Sequence, residues 1–136
     1  MAKIVVGSYL VRFPLGGYFS RVMQWLVGFS RLGHKVYFVE KAGWENTCFD
    51  PSTNTMGNDC NYGLRMLNAT FMKYGLENQW RFVDACNNYF GLSRLQIEAI
   101  FRSADVFVDM GSDGSWLGEA GGIARTVLIY NSQKFI

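Results

Sequence analysis

The sequence predicts an α/β fold: three layers, α/β/α, around a mainly parallel, doubly wound sheet of about five strands. Three observations carry that prediction. Short runs of Val, Ile, Tyr and Phe are nearly continuous instead of alternating with polar residues, the pattern of strands buried on both faces. Between them lie stretches whose apolar residues recur at helical spacing. The two kinds alternate along the whole chain with no internal repeat, linker or low-complexity segment, the rhythm of βαβ units in one domain spanning 1–136.

The first unit is the clearest. Strand runs Lys3–Tyr9 and Lys35–Glu40 flank a helix over Tyr18–Leu32. Its apolar stripe is Phe19, Val22, Met23, Leu26 and Val27, widened by Trp25 and Phe29, and Gly33 is placed to close it in a left-handed conformation. The crossover should be right-handed. The connection before this helix is long for a βα loop, which usually takes roughly 2–6 residues. It ends in Gly16-Gly17, where helix N-terminal amides favour an anion or an acceptor oxygen. A flexible turn into the helix accounts for the same glycines.

Residues 41–61 are polar and read as a long loop. Trp44 and Phe49 in it either line a sugar or apolar ligand or tuck the loop onto the core. A second helix spans Asn61–Tyr74, with Leu64, Leu67, Phe71 and Tyr74 at helical spacing and Gly75 as its stop. Trp80–Ala85 is a short apolar run and a candidate strand. Ser93 is the expected N-cap of a third helix carrying Leu95, Ile97, Ile100 and Phe101. Val106–Met110 is a buried strand, Gly111–Trp116 a glycine-rich loop and Thr126–Tyr130 a fifth strand.

Composition bounds the function. The net charge is +2 with no basic block, which disfavours nucleic-acid binding through phosphate neutralisation. No apolar run approaches the roughly 18–20 residues of a membrane span, and the N-terminus does not resemble a signal peptide. Three unevenly spaced cysteines and one histidine form no metal-ligand pattern. The expectation is reduced cysteines in a cytoplasmic protein.

If the strand order is 3-2-1-4-5, the loops after the first and fourth strands flank the switch point where ligands bind in open α/β sheets. Gly16, Gly17, Gly111, Ser112 and Asp113 then line one cleft. Arg12 can meet a phosphate or carboxylate of a substrate, or lie on the surface. Glu40 and Asp109 end strands at the same edge and are expected to line the cleft. Asp113 is the better-placed acid of that cleft and the candidate catalytic residue; a solvated loop aspartate is the alternative. His34 lies at the opposite end of the sheet, closing the first helix, and Glu119 has no evident role. A dinucleotide fingerprint is missing, because Gly7 is not followed by the Gly-x-Gly-x-x-Gly spacing, although Glu40 sits near where a ribose-binding acid belongs.

Several of these pieces coincide in one known architecture. A KIVV strand, the Gly-Gly loop, RLGHKVYFVE (Arg31–Glu40), FRSADVFVDMGS (Phe101–Ser112) and ARTVLIY (Ala124–Tyr130) together resemble the Rossmann-like N-terminal domain of GT-B-fold glycosyltransferases. The resemblance implies an acceptor-side domain whose ligand is a sugar acceptor or other small molecule. It implies no cofactor in this chain, and a nucleotide-sugar donor bound by a C-terminal domain or partner chain absent from it. Little turnover by this chain alone follows. Asn131-Ser132-Gln133-Lys134 stands where related enzymes often carry an Asp-rich or Pro-Gly turn. The rival readings are a non-catalytic ligand-binding or interaction domain and a nucleotide-binding oxidoreductase domain. In the expected order Thr126–Tyr130 is an exposed apolar edge, which favours a homodimer or aggregation.

Overall fold

The computed structural model describes residues 1–112, 115–121 and 125–128. In chain order the elements are β1 (Lys3–Gly7), α1 (Gly16–Arg31), β2 (Lys35–Lys41), β3 (Cys48–Asp50), β4 (Thr55–Gly57) and α2 (Asn61–Lys73). They continue with β5 (Trp80–Val83), β6 (Tyr89–Gly91), α3 (Arg94–Ser103), β7 (Val106–Asp109), α4 (Leu117–Ala120) and β8 (Thr126–Leu128).

The main sheet runs β6-β5-β2-β1-β7-β8. Every neighbouring pair is parallel except β5 with β6. Without β6 this is the expected order 3-2-1-4-5, with β1 at its centre. The expected five strands become six because Trp80–Val83 turns back on itself as a β5–β6 hairpin. Beyond Leu128, the end of the expected fifth strand and Asn131–Lys134 lie outside the described residues.

Continuous apolar strands follow from burial on both faces. Alternate residues of a strand point to opposite sides. Ile4, Val6, Val36 and Phe38 join one core with Phe19, Val22, Met23 and Leu26 of α1 and Leu67 and Phe71 of α2. Val5 and Val39 join a second core with Ile97, Ile100 and Phe101 of α3, Trp116, and Ala120 of α4. The four-residue α4 is too short for its periodicity to show in the sequence.

The helix ends obey local chemistry. At α1, Gly33 (φ +90°) lets its own N–H reach the Ser30 carbonyl and the His34 N–H reach the Phe29 carbonyl, a Schellman closure. Gly75 repeats it at α2, where Gly75 and Leu76 N–H groups donate to Met72 and Phe71. Ser93 caps α3 in a capping box with Gln96. The α1 start differs from expectation: Gly16 and Gly17 are its first turn and not part of the loop. His34 accepts a hydrogen bond from the Ala2 N–H at Nδ1 (2.9 Å).

Residues 41–61 are not the open loop the sequence suggests. They contain the antiparallel hairpin β3–β4, and Cys48 of β3 is disulfide-bonded to Cys60, the residue preceding α2. The expectation that all three cysteines are free thiols is therefore corrected; Cys86 alone is free, and exposed. The hairpin doubles the chain back and brings the two Cα atoms within 5.5 Å, inside the range a disulfide needs.

Candidate functional site

At the carboxyl edge of the sheet the loop after β1 is built on Glu40. This side chain is fully buried, on the α1/α2 face of β2. Its Oε1 accepts the N–H groups of Leu10 (2.7 Å) and Val11 (2.9 Å). Its Oε2 accepts the Arg12 N–H (3.0 Å) and Arg12 Nε (3.2 Å). Burial pushes the carboxyl above its ordinary value, while Arg12 and the three loop amides pull it back down. Both oxygens are thus committed to the protein's own loop, and Glu40 is buried beneath that loop instead of lining a cleft as expected.

Two further contacts hold the same loop. Phe49 of the β3–β4 hairpin donates its N–H to the Arg12 carbonyl (2.7 Å). Helix α2 approaches so closely that a Cβ at Gly63 would collide with the Val11 carbonyl. Arg12 lies over the Tyr9 ring (5.6 Å) with Nε on Glu40, so it is an anchored residue and not a free surface arginine. Tyr9, Phe13 and Tyr18 form an aromatic wall, with Tyr9 and Tyr18 edge to face at 5.2 Å. Burial, together with Tyr18, pushes the Tyr9 phenol up.

The loop after β7 meets this one, as the strand order requires. Ser8 Oγ donates to the Met110 carbonyl (2.7 Å), and Gly111 (φ +94°) lies against the Tyr9 ring, where a Cβ would come within 2.9 Å of it. Asp109 Oδ1 accepts both the N–H (2.8 Å) and Oγ (2.6 Å) of Ser112, which turns the chain out of the strand. Gly111 and Ser112 are thus brought to the β1 loop, and Ser112 is buried in doing so. Gly16 and Gly17 are exposed, with open space where side chains would be. Asp113 lies outside the described residues.

On the other face of the sheet, β2, β5, α3 and α4 enclose a cleft of about 610 Å³, larger than two pockets of about 340 Å³ against α1. Lys41, at the end of β2, reaches Glu119 Oε2 (2.6 Å) and the Ser115 carbonyl (2.8 Å) over the Trp116 ring (4.2 Å). Glu119, which had no evident role, is therefore the partner of Lys41. Arg81 donates from Nη1 to the Leu92 carbonyl (2.7 Å) and lies over the Tyr89 ring (4.6 Å). It is only 7 % exposed, and burial lowers its affinity for its proton. Sequence reasoning missed this cleft. The available signal was an arginine inside the buried run Trp80-Arg81-Phe82-Val83.

Among the described residues no group of three or more His, Cys, Asp or Glu side chains is placed to hold a metal ion, and no helix is long and apolar enough to cross a membrane. The arrangement can bind a ligand through aromatic faces and cationic or hydroxyl donors. Comparison with known protein families and with curated proteins finds no match.

Proposed function

We propose that the chain is a Rossmann-like domain holding the acceptor in nucleotide-sugar-dependent glycosyl transfer, with the donor bound by a second domain or partner chain. One observation supports the reading most: the loops after β1 and β7 meet where the strand order reverses. Ligands of open α/β sheets bind at that place. There Tyr9 and Phe13 of the β1 loop and Tyr18 of α1 present rings suited to a sugar face. The choice of glycosyl transfer rests on the resemblance of Arg31–Glu40 and Phe101–Ser112 to GT-B N-terminal domains, motifs that mark architecture more than chemistry. A second copy or the donor-side domain is the partner we expect, along β8. In the cytoplasm the Cys48–Cys60 pair would be reduced, leaving the β3–β4 hairpin to its hydrogen bonds.

The test is an NMR titration of the whole chain with methyl glucoside, UDP, a UDP-sugar and NADH. The expected result is weak, saturable glycoside binding at the Tyr9–Tyr18 wall, diminished in Tyr18→Ala, with little response to UDP. Tight UDP-sugar binding would move the donor site into this chain. Tight NADH binding would replace the reading with an oxidoreductase domain.

A further inference from the structure

The cleft on the α3/α4 face holds three cationic side chains, Lys41, Arg81 and Arg94, and two carboxylates, Glu98 and Glu119. Each carboxylate has a closer cation than Arg81, although both also act on Arg81 through space. Glu119 pairs with Lys41 at 2.6 Å, and Glu98 pairs with Arg94 at 3.0 Å. Arg81 has no ion-pair partner among the described residues, and three cations less two anions leaves one positive charge over.

That leftover charge is not on the rim. Arg81 is buried in β5, its guanidinium lying over the Tyr89 ring. A guanidinium carries five N–H donors, and among the described residues one of them meets a protein acceptor, the Leu92 carbonyl. Burying a charge without a counter-ion is costly, and proteins do so where paired ions or ligands compensate. Val83, Ile97 and Trp116 add apolar surface beside it. The unbonded nitrogens of Arg81 open toward the cleft, and beside them Trp116 Nε1 is a fully buried donor that lacks an acceptor among the described residues.

We propose that this cleft binds a small molecule carrying one negatively charged oxyanion group, a carboxylate or a phosphate, on Arg81, with a ring or apolar body against Val83, Ile97 and Trp116. The planar guanidinium fork matches both oxyanions in two-point geometry. The site stands on the charge balance of the cleft and not on glycosyl transfer. It lies on the opposite face of the sheet from the tyrosine wall, so glycoside binding there and anion binding here succeed or fail separately.

The probes are benzoate, phenyl phosphate and the neutral benzyl alcohol, titrated into the whole chain while the Arg81 Nε–H and Trp116 indole resonances are followed. At least one anion is expected to shift both resonances saturably, and benzyl alcohol to leave them nearly unmoved. A response to benzoate alone identifies a carboxylate site, and to phenyl phosphate alone a phosphate site. In Arg81→Gln the affinity should fall at least about tenfold, the loss of a charged hydrogen-bond donor. Arg81→Lys keeps the charge but loses the fork, so it should bind more weakly than the wild-type chain. No saturable shift with either anion overturns the proposal, as does an equal response to benzyl alcohol. Wild-type affinity in Arg81→Gln also overturns it; if that variant does not fold, wild-type affinity in Arg81→Lys does so.

Discussion

Two of the buried charges at one edge of the sheet lie on opposite faces, and the protein treats them in opposite ways. Glu40 and Arg81 lie on adjacent strands, one residue out of step: Val39 is the partner of Arg81, and Glu40 that of Phe82. Glu40 faces α1 and α2, and each of its oxygens receives two donors from the β1 loop. Arg81 faces α3 and α4 and makes one hydrogen bond to a carbonyl beside a cleft. Burial alone does not mark a functional charge. What separates the two is how much bonding capacity the fold leaves unused.

The largest expected effect comes from breaking the satisfied charge. In Glu40→Gln an amide faces donors that a carboxylate had accepted, and removing one partner of a buried pair costs roughly 3–5 kcal/mol. Urea unfolding of the variant measures it; a loss under about 1 kcal/mol would show that the loop does not depend on Glu40. Next is Gly63→Ala, which sets a methyl group against the Val11 carbonyl and forces α2 off the loop. Overpacking of this kind costs typically about 1–3 kcal/mol. An unchanged melting temperature would mean that the loop yields, and that it is held by Glu40 and the Phe49 bond without help from α2.

The smallest effect lies on the Arg81 face. Burial pushes the Tyr37 phenol above its ordinary value of 10.0. The folded state then holds that proton more tightly than the unfolded chain does. Its contribution is complete below pH 10 and is lost as pH rises through the higher folded value. Tyr37→Phe should therefore lose less stability than wild type between about pH 9 and about pH 11. Equal losses in thermal melts at the two pH values would remove Tyr37 from the account. Tyr9, shifted in the same direction, keeps its own share in both proteins.

What could be read in the residues was whatever repeats or terminates. Long apolar runs marked β1, β2 and β7, helical spacing marked α1, α2 and α3, and Gly33, Gly75 and Ser93 marked helix ends. The order 3-2-1-4-5 entered as a condition, the doubly wound arrangement such units adopt, and the meeting of two loops at the edge followed from it. Three-residue strands carry no period, so β3–β4 and β6 were invisible, and with β3–β4 hidden the proximity of Cys48 to Cys60 was hidden too. Glu40 was legible as an acid at a strand end, but an acid facing solvent and one bonded to backbone amides have the same letter. Which residues it would serve depended on how an eight-residue loop, 8–15, folds over β2. Arg81 passed unremarked inside an apolar run, and its meaning needed the two ion pairs that leave it over.

The central position of β1 also has a consequence in time. β1 pairs with β2, some thirty residues on, and with β7, where Lys3 N–H reaches Asp105 across a separation of 102 residues. During synthesis the first partner is available long before the second. Until β7 arrives, the strand that ends in the middle of the sheet is an edge with unpaired amides and apolar side chains on both faces. The slowest step in acquiring this fold should be that distant closure, and the interval before it is when the nascent chain is most open to pairing with a neighbour.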